Sequence, residues 1–241
     1  MTEAELRRKT RRGFLVGGLA SAAGFATYKW ITSAAEDNAQ PWPQRRVLDF
    51  NGKLAHAYLS DSRLMPAYTK DQIGYLKPNG AYGLEESEQQ WKLRVEPGEG
   101  IKAIQLEFAD IQSLPRVELI TRFCCIEGWS AIAYWTGAKF SDFTRRYFPP
   151  GTAIPPYVYM STPDEEYYVG LDMKSALHPQ TLLAYEQNGK PLEPTHGAPL
   201  RLVMPIKYGI KNIKRIGLIR YTSEKPRDYW AEEGYDWFAG L

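Results

Sequence analysis

Apolar and polar positions along this chain change period several times, and each change predicts an element. Trp91-Lys92-Leu93-Arg94-Val95 alternates and is closed by Pro97-Gly98, which predicts a strand. Val117 to Phe123, Tyr157 to Thr162, Tyr167 to Leu171 and Thr181 to Tyr185 read as further strands. Phe108 to Leu114 predicts a short helix ended by Pro115, and Met173 to Leu177 another. Phe140, Phe143 and Tyr147 recur at helical spacing, which makes them core aromatics; Ala131 to Gly137 leads into that helix. Asn188-Gly189 signals a tight turn. Between residues 60 and 90 periodicity fades among Pro66, Pro78-Asn79-Gly80 and Gly83, as expected of a long functional loop. The pattern describes an α+β domain of mixed strands, short helices and long loops, with no internal repeat or low-complexity tract.

Before Val47 the pattern is different. Arg7, Arg8, Lys9, Arg11 and Arg12 precede Gly13 to Tyr28, sixteen uncharged residues rich in Gly and Ala. Thr10-Arg11-Arg12-Gly13-Phe14-Leu15 has a twin-arginine layout, the form of an export address. The apolar run is short of the roughly 20 residues that span a bilayer, so export is expected, with an uncleaved membrane tether as the alternative. The chain thus divides into a signal segment over 1–35, a Pro-bearing linker over 36–46 around Pro41-Trp42-Pro43, and a domain over 47–241. The aromatic, acidic tail beyond Tyr221 is expected to pack back onto that domain.

Charge and composition narrow little. Thirty Lys+Arg against 28 Asp+Glu leave a net charge of +2, which indicates no nucleic-acid partner. Two cysteines are too few for a disulfide scaffold. Both fall in Arg122-Phe123-Cys124-Cys125-Ile126-Glu127-Gly128-Trp129-Ser130. They are small hydrophobes at a buried strand end, or a vicinal redox pair with strained geometry, or one is a thiolate for a soft metal centre beside a Gly128 turn. A second block, His196-Gly197-Ala198-Pro199-Leu200-Arg201 followed by Lys207-Tyr208-Gly209-Ile210-Lys211, presents an arginine at a strand start and a glycine between two lysines. It is either a solvated basic face or a phosphate grip.

The order Cys-Ile-Glu-Gly-Trp-Ser after an arginine resembles the cysteine loop of the molybdopterin-dependent sulfite oxidase superfamily, nearest the branch that contains periplasmic methionine sulfoxide reductases. The second block resembles that superfamily's (Asn or His)-Gly-Ala-Pro-x-Arg and Lys-Tyr-Gly-x-Lys. The resemblance implies a sulfite-oxidase-type molybdopterin-binding fold carrying one molybdenum–molybdopterin. It implies Cys125 as the protein ligand to the metal, with Cys124 a packing residue. It also implies cofactor contacts from Asn79 and Tyr82 of Asn79-Gly80-Ala81-Tyr82, from Thr162, and from His196, Arg201, Gly209, Ile210 and Lys211. Read on its own residues, Asn79-Gly80 is equally a surface turn. Glu127 is a proton donor or a group supporting the metal ligand from behind, or else a cap or salt-bridge partner of Arg122.

The activity this resemblance implies is oxygen-atom transfer in the periplasm, the substrate being a sulfoxide, small or protein-borne. Electrons come from a membrane haem protein or another periplasmic carrier. Oxidation of sulfite or another small oxyanion is the alternative within enzymes. Thiol redox chemistry at Cys124-Cys125 and a cofactor-free secreted binding module are the alternatives from other classes.

Overall fold

The computed structural model describes residues 2–84, 91–98 and 100–241. The chain forms two compact units, residues 1–48 and 49–241. In the first, helix α1 (Glu3–Thr32) starts with a capping box in which the Thr2 hydroxyl accepts the Glu5 N–H and the Glu5 carboxylate accepts the Thr2 N–H. No residue of α1 is buried. Among the described residues, no helix is long and apolar enough to cross a membrane.

Residues 36–46, expected to be a linker, are ordered. Strands β1 (Glu36–Asp37) and β2 (Gln40–Pro41) form a two-stranded ribbon, turned by Asn38 and Ala39 at φ of 48° and 57°. Helix α2 (Trp42–Tyr58) follows at once. Pro43 belongs to its first turn, where a missing N–H costs nothing, so the proline that suggested a stiff linker instead starts a helix.

The second unit is built on two five-stranded sheets. Its elements after α2 are β3 (Leu93–Glu96), β4 (Ile104–Leu106), α3 (Phe108–Gln112), β5 (Arg116–Cys124), β6 (Ser130–Lys139), α4 (Phe140–Tyr147), β7 (Tyr157–Ser161), β8 (Tyr168–Asp172), α5 (Met173–Ala176), β9 (Leu182–Gln187), β10 (Lys190–Pro191), β11 (Arg201–Val203), β12 (Leu218–Thr222) and α6 (Tyr229–Glu232). One sheet runs β10-β9-β6-β5, with β11 also on β9, and is antiparallel throughout. The other runs β4-β3-β12-β7-β8, and only its β12–β3 pairing is parallel.

Strand β6 is the element that the sequence pattern concealed. Ala133 through Ala138 are buried in succession, because β6 lies between β5 and β9, so the alternation that marks a half-exposed strand is absent. Its register shifts between Thr136 and Gly137 against β9. There the two backbones come so close that a Cβ on Gly137 would sit 2.1 Å from the Leu183 carbonyl oxygen.

The core has two parts. The larger one gathers Leu93, Val95, Val158, Met160, Ile219 and the fully buried Phe140 and Phe143 of α4. These two rings stack at 5.8 Å and belong to the core, as their spacing predicted. The smaller is centred on Trp135, with Leu182, Ala184 and Val203 around it. The irregular stretch is tied to the first sheet through Tyr68 N–H to Ile120 O (3.2 Å) and Gly74 N–H to Ile132 O (3.0 Å), which brings Asn79 to the end of that sheet. Residues 85–90 lie outside the described set.

Because only backbone atoms confront Gly137, Gly137→Ala should cost about 1–3 kcal/mol or more. Gly74→Ala, with nothing within 4 Å of the new methyl, should be nearly neutral. Urea midpoints of the two variants measure the difference.

Candidate functional site

The cysteine motif is the tip of the β5–β6 hairpin. Cys124 pairs with Ser130 as the last rung. Beyond it the Cys125 N–H donates to Trp129 O at 2.9 Å and the Gly128 N–H to Cys125 O at 3.2 Å, with Gly128 at φ 88°. The left-handed conformation at Gly128 closes the tip, which favours glycine over any other residue. Both cysteines are free thiols. Cys125 is buried and lines a cleft of about 330 Å³. The Asn79 amide donates to its Sγ at 3.7 Å. Burial pushes the Cys124 thiol up, partly offset by Arg122, which is the wrong direction for a reactive thiolate.

Glu127 does not have the surroundings of a proton donor. Its exposed carboxylate accepts the Trp129 indole N–H at 3.0 Å. That bond, then one from Asn79 and the charge of Lys77, hold its pKa below the ordinary value. A carboxyl kept ionised in this way orients Asn79 and Trp129 and places negative charge beside Cys125.

Arg201, the first residue of β11, ends the other side of the cleft. Its guanidinium is buried 4.8 Å from the Trp135 ring and donates to His196 O (3.0 Å) and Asn212 O (3.3 Å). Burial lowers its pKa to about 10. Lys214 reaches the same place, donating to Thr195 O (2.7 Å) and Gly80 O (2.9 Å), and is lowered to about 8 by burial and then by Arg201. Among the described residues no carboxylate forms an ion pair with either cation. His196 lies beside them, its pKa pushed down by burial first and then by Arg201 and Lys214, so its imidazole is neutral at neutral pH. Gly197, at φ 96°, admits this packing, since a Cβ there would meet Lys214 Cβ at 2.6 Å.

The two halves meet at Phe123 and Gly209. A Cβ on Gly209 would lie 2.6 Å from the Phe123 ring, so the glycine lets the 209–211 turn close onto the hairpin. Of the residues singled out in the sequence, Asn79, Tyr82, Cys125, Glu127, His196, Arg201, Gly209 and Ile210 all line this cleft.

Comparisons with known proteins show the family. The family model "Oxidoreductase molybdopterin binding domain" matches residues 81–230, more than half of the chain. The chain belongs to this oxidoreductase family. A putative protein-methionine-sulfoxide reductase subunit, YedZ1 of Azospira oryzae, is 33% identical over 237 residues, 95% of this chain and 86% of that one. The catalytic subunit MsrP of Campylobacter jejuni is 38% identical over 175 residues, and MsrP of Xanthomonas campestris 37% over 155. These alignments cover 64% and 58% of this chain, which spans only 57% and 47% of the two MsrP chains. The sulfane dehydrogenase SoxCD of Paracoccus pantotrophus shares the fold, with a TM-score of 0.51 at 19% identity over 58% of this chain and 40% of that one. Membership of an oxidoreductase family sets aside the binding-module alternative.

The residues present fit a molybdopterin. A buried guanidinium and a half-buried ammonium that have no carboxylate partner among the described residues are balanced by an anion, and the pterin's phosphate end would supply one. The neutral His196 offers ring hydrogen bonds, and the opening amides of a short turn are not satisfied by that turn.

Two expected contacts are placed elsewhere. Thr162 is buried against Gly83, and its hydroxyl donates to Asp164 Oδ1 (2.6 Å) while accepting the Tyr167 N–H (3.1 Å). It caps a turn and does not line the cleft. The Lys211 ammonium is buried in the opposite direction, donating to Asp228 Oδ2 (2.5 Å) and Gly170 O (2.8 Å), while its N–H donates to Tyr208 O. Sequence spacing could not reveal that Asp228, far along the chain, would claim this lysine. Several cleft residues were not read as site residues from the sequence, among them Lys77 of the irregular stretch, Asn212 and Lys214 just beyond the second block, and Trp230 and Tyr235 of the tail.

Removing Lys211 strands the Asp228 carboxylate, so Lys211→Met should lower stability by about 3–5 kcal/mol in urea denaturation of cofactor-free protein. A phosphate contact would have left that protein unaffected. For Lys214, folding lowers the pKa from 10.5 to about 8, so its charge costs stability increasingly as pH falls across that window and by a constant amount below it. An anion in the cleft recovers this cost. Sulfate, whose charge is fixed in this range, should bind cofactor-free protein about tenfold more weakly at pH 9 than at pH 7. Titration of Lys214→Met should show a flat profile.

Proposed function

We propose that this protein is a molybdenum–molybdopterin sulfoxide reductase with one cofactor per chain, acting on alkyl sulfoxides such as oxidised methionine. In this reading Cys125 is the protein ligand to molybdenum. Arg201 and Lys214 neutralise the phosphate end, with the Gly209 and Ile210 amides beside them. His196, Asn79 and Tyr82 hydrogen-bond the pterin. When bound, the centre supplies two-electron oxygen-atom transfer. Reduction of a sulfoxide takes up two electrons and two protons and releases a sulfide and water.

One observation carries the choice of substrate. Ile126, Trp129, Tyr82 and the ionised Glu127, with the charge of Lys77 near it, line the cleft with Cys125, and the cations Arg201 and Lys214 lie by His196. An apolar wall on which the Glu127 and Lys77 charges offset each other accepts a neutral sulfoxide and offers a sulfite dianion little net attraction. The names of the relatives, two of them catalytic subunits of protein-methionine-sulfoxide reductases, support the same substrate class. They also support a separate protein as electron source, which we take to be a membrane haem protein. The twin-arginine layout at Arg11-Arg12 supports export to the periplasm, with the cofactor inserted before export.

Metal-loaded protein should couple a reduced dye to sulfoxide and should not oxidise sulfite; the reverse result overturns the reading. Cys125→Ser should lose molybdenum by metal analysis and lower activity by at least about 100-fold. Cys124→Ser should keep both.

A further inference from the structure

The tail segment places a fixed run of aromatic rings on the cleft. Tyr82 and Tyr229 lie 5.4 Å apart, Tyr229 and Trp230 5.3 Å, and Trp230 and Tyr235 5.2 Å. Tyr82, Trp230 and Tyr235 share the cavity with Cys125. The outer two are exposed, Tyr82 by 50% and Tyr235 by 39%, so apolar ring surface faces the solvent at the rim.

These rings are not a loose tail. The Asp228 carboxylate caps α6 by accepting the Ala231 N–H at 3.0 Å, and its other oxygen accepts Lys211 Nζ and the Gly170 N–H. Arg227 donates twice to Glu232, at 2.6 and 2.8 Å, and the Tyr168 hydroxyl donates to Glu232 as well. The Tyr235 N–H closes onto Trp230 O at 2.9 Å, with Gly234 at φ 97° making the turn. Tyr167, whose ring is 5.4 Å from Tyr229, donates its hydroxyl to Ile210 O at 2.5 Å and so ties the aromatic segment to the cleft wall. Rings held in place before binding lose little freedom when a ligand arrives.

We propose that Trp230 and Tyr235, together with Tyr82, form the specificity wall of the site and select sulfoxides that carry an extended apolar arm, as a methionine sulfoxide side chain does, over dimethyl sulfoxide. This rests on the sulfoxide reductase reading. A sulfoxide is polar only at sulfur and oxygen; its carbon arms gain dispersion and sulfur–ring contacts along aromatic surfaces. The longer the arm, the more of the run it covers. Lys211 and Asp228 are positioning residues for this wall.

The test compares a methionine sulfoxide peptide with dimethyl sulfoxide on loaded enzyme. In Tyr235→Ala and in Trp230→Ala, the ratio of kcat/KM for the peptide to that for dimethyl sulfoxide should fall about tenfold, mainly through the peptide's KM. Tyr235→Phe, which keeps the ring, should retain the ratio. A ratio unchanged in both alanine variants, with molybdenum content preserved, overturns the specificity wall and leaves sulfoxide reduction standing. Unsubstituted loaded enzyme that reduces neither compound overturns both readings.

Discussion

The site depends on one close approach, the ring of Phe123 against the backbone of Gly209. A single added methyl at Gly209 would lie 2.6 Å from that ring, so the second block can reach the hairpin only because the residue there has no side chain. Phe123 also lies 6.0 Å from the Trp129 ring and 5.9 Å from the Arg201 guanidinium. It therefore touches the cysteine tip, the turn and the buried cation together. Close packing admits only small adjustments, which sets the separation between the Cys125 thiol and the cationic end.

Around that contact the charges fall into two classes. Arg201 and Lys214 lack carboxylate partners among the described residues and are depressed by burial, as in a site prepared for an anion. Lys211 and Lys207 are satisfied internally. Lys211 is paired with Asp228, while Lys207 lies 3.7 Å from Asp172 and donates to Phe238 O, its pKa lowered to about 7 by burial. The four basic groups lie within fourteen residues of sequence and look alike there. Their difference is the presence or absence of a buried acid, and the acids come from the β8–α5 junction and the tail. The tail is thus more than a cover for the core, since Asp228 takes a lysine from the floor of the site and in exchange fixes the aromatic wall.

Much of this was legible in the sequence. Both halves of the site were marked by residue types at fixed spacing, the α+β class by alternating periods, and the hairpin turn at Asn188-Gly189 by residues that tolerate the left-handed φ of 53° and 78° found there. These are local properties, set by neighbours along the chain, and the sequence alone determined them. What only tertiary structure decided is pairwise and long-range. It showed β6 as a central strand, because burial on both faces erases alternation. It turned Lys211 and Thr162 away from the cleft, because Asp228 and Asp164 compete for them. It kept Glu127 ionised, because Trp129 and Asn79 bond it. And it brought Trp230 and Tyr235 to the cleft, because the partners that anchor α6 are drawn from β8 and the 209–211 turn, whose closeness to the tail no spacing along the chain records.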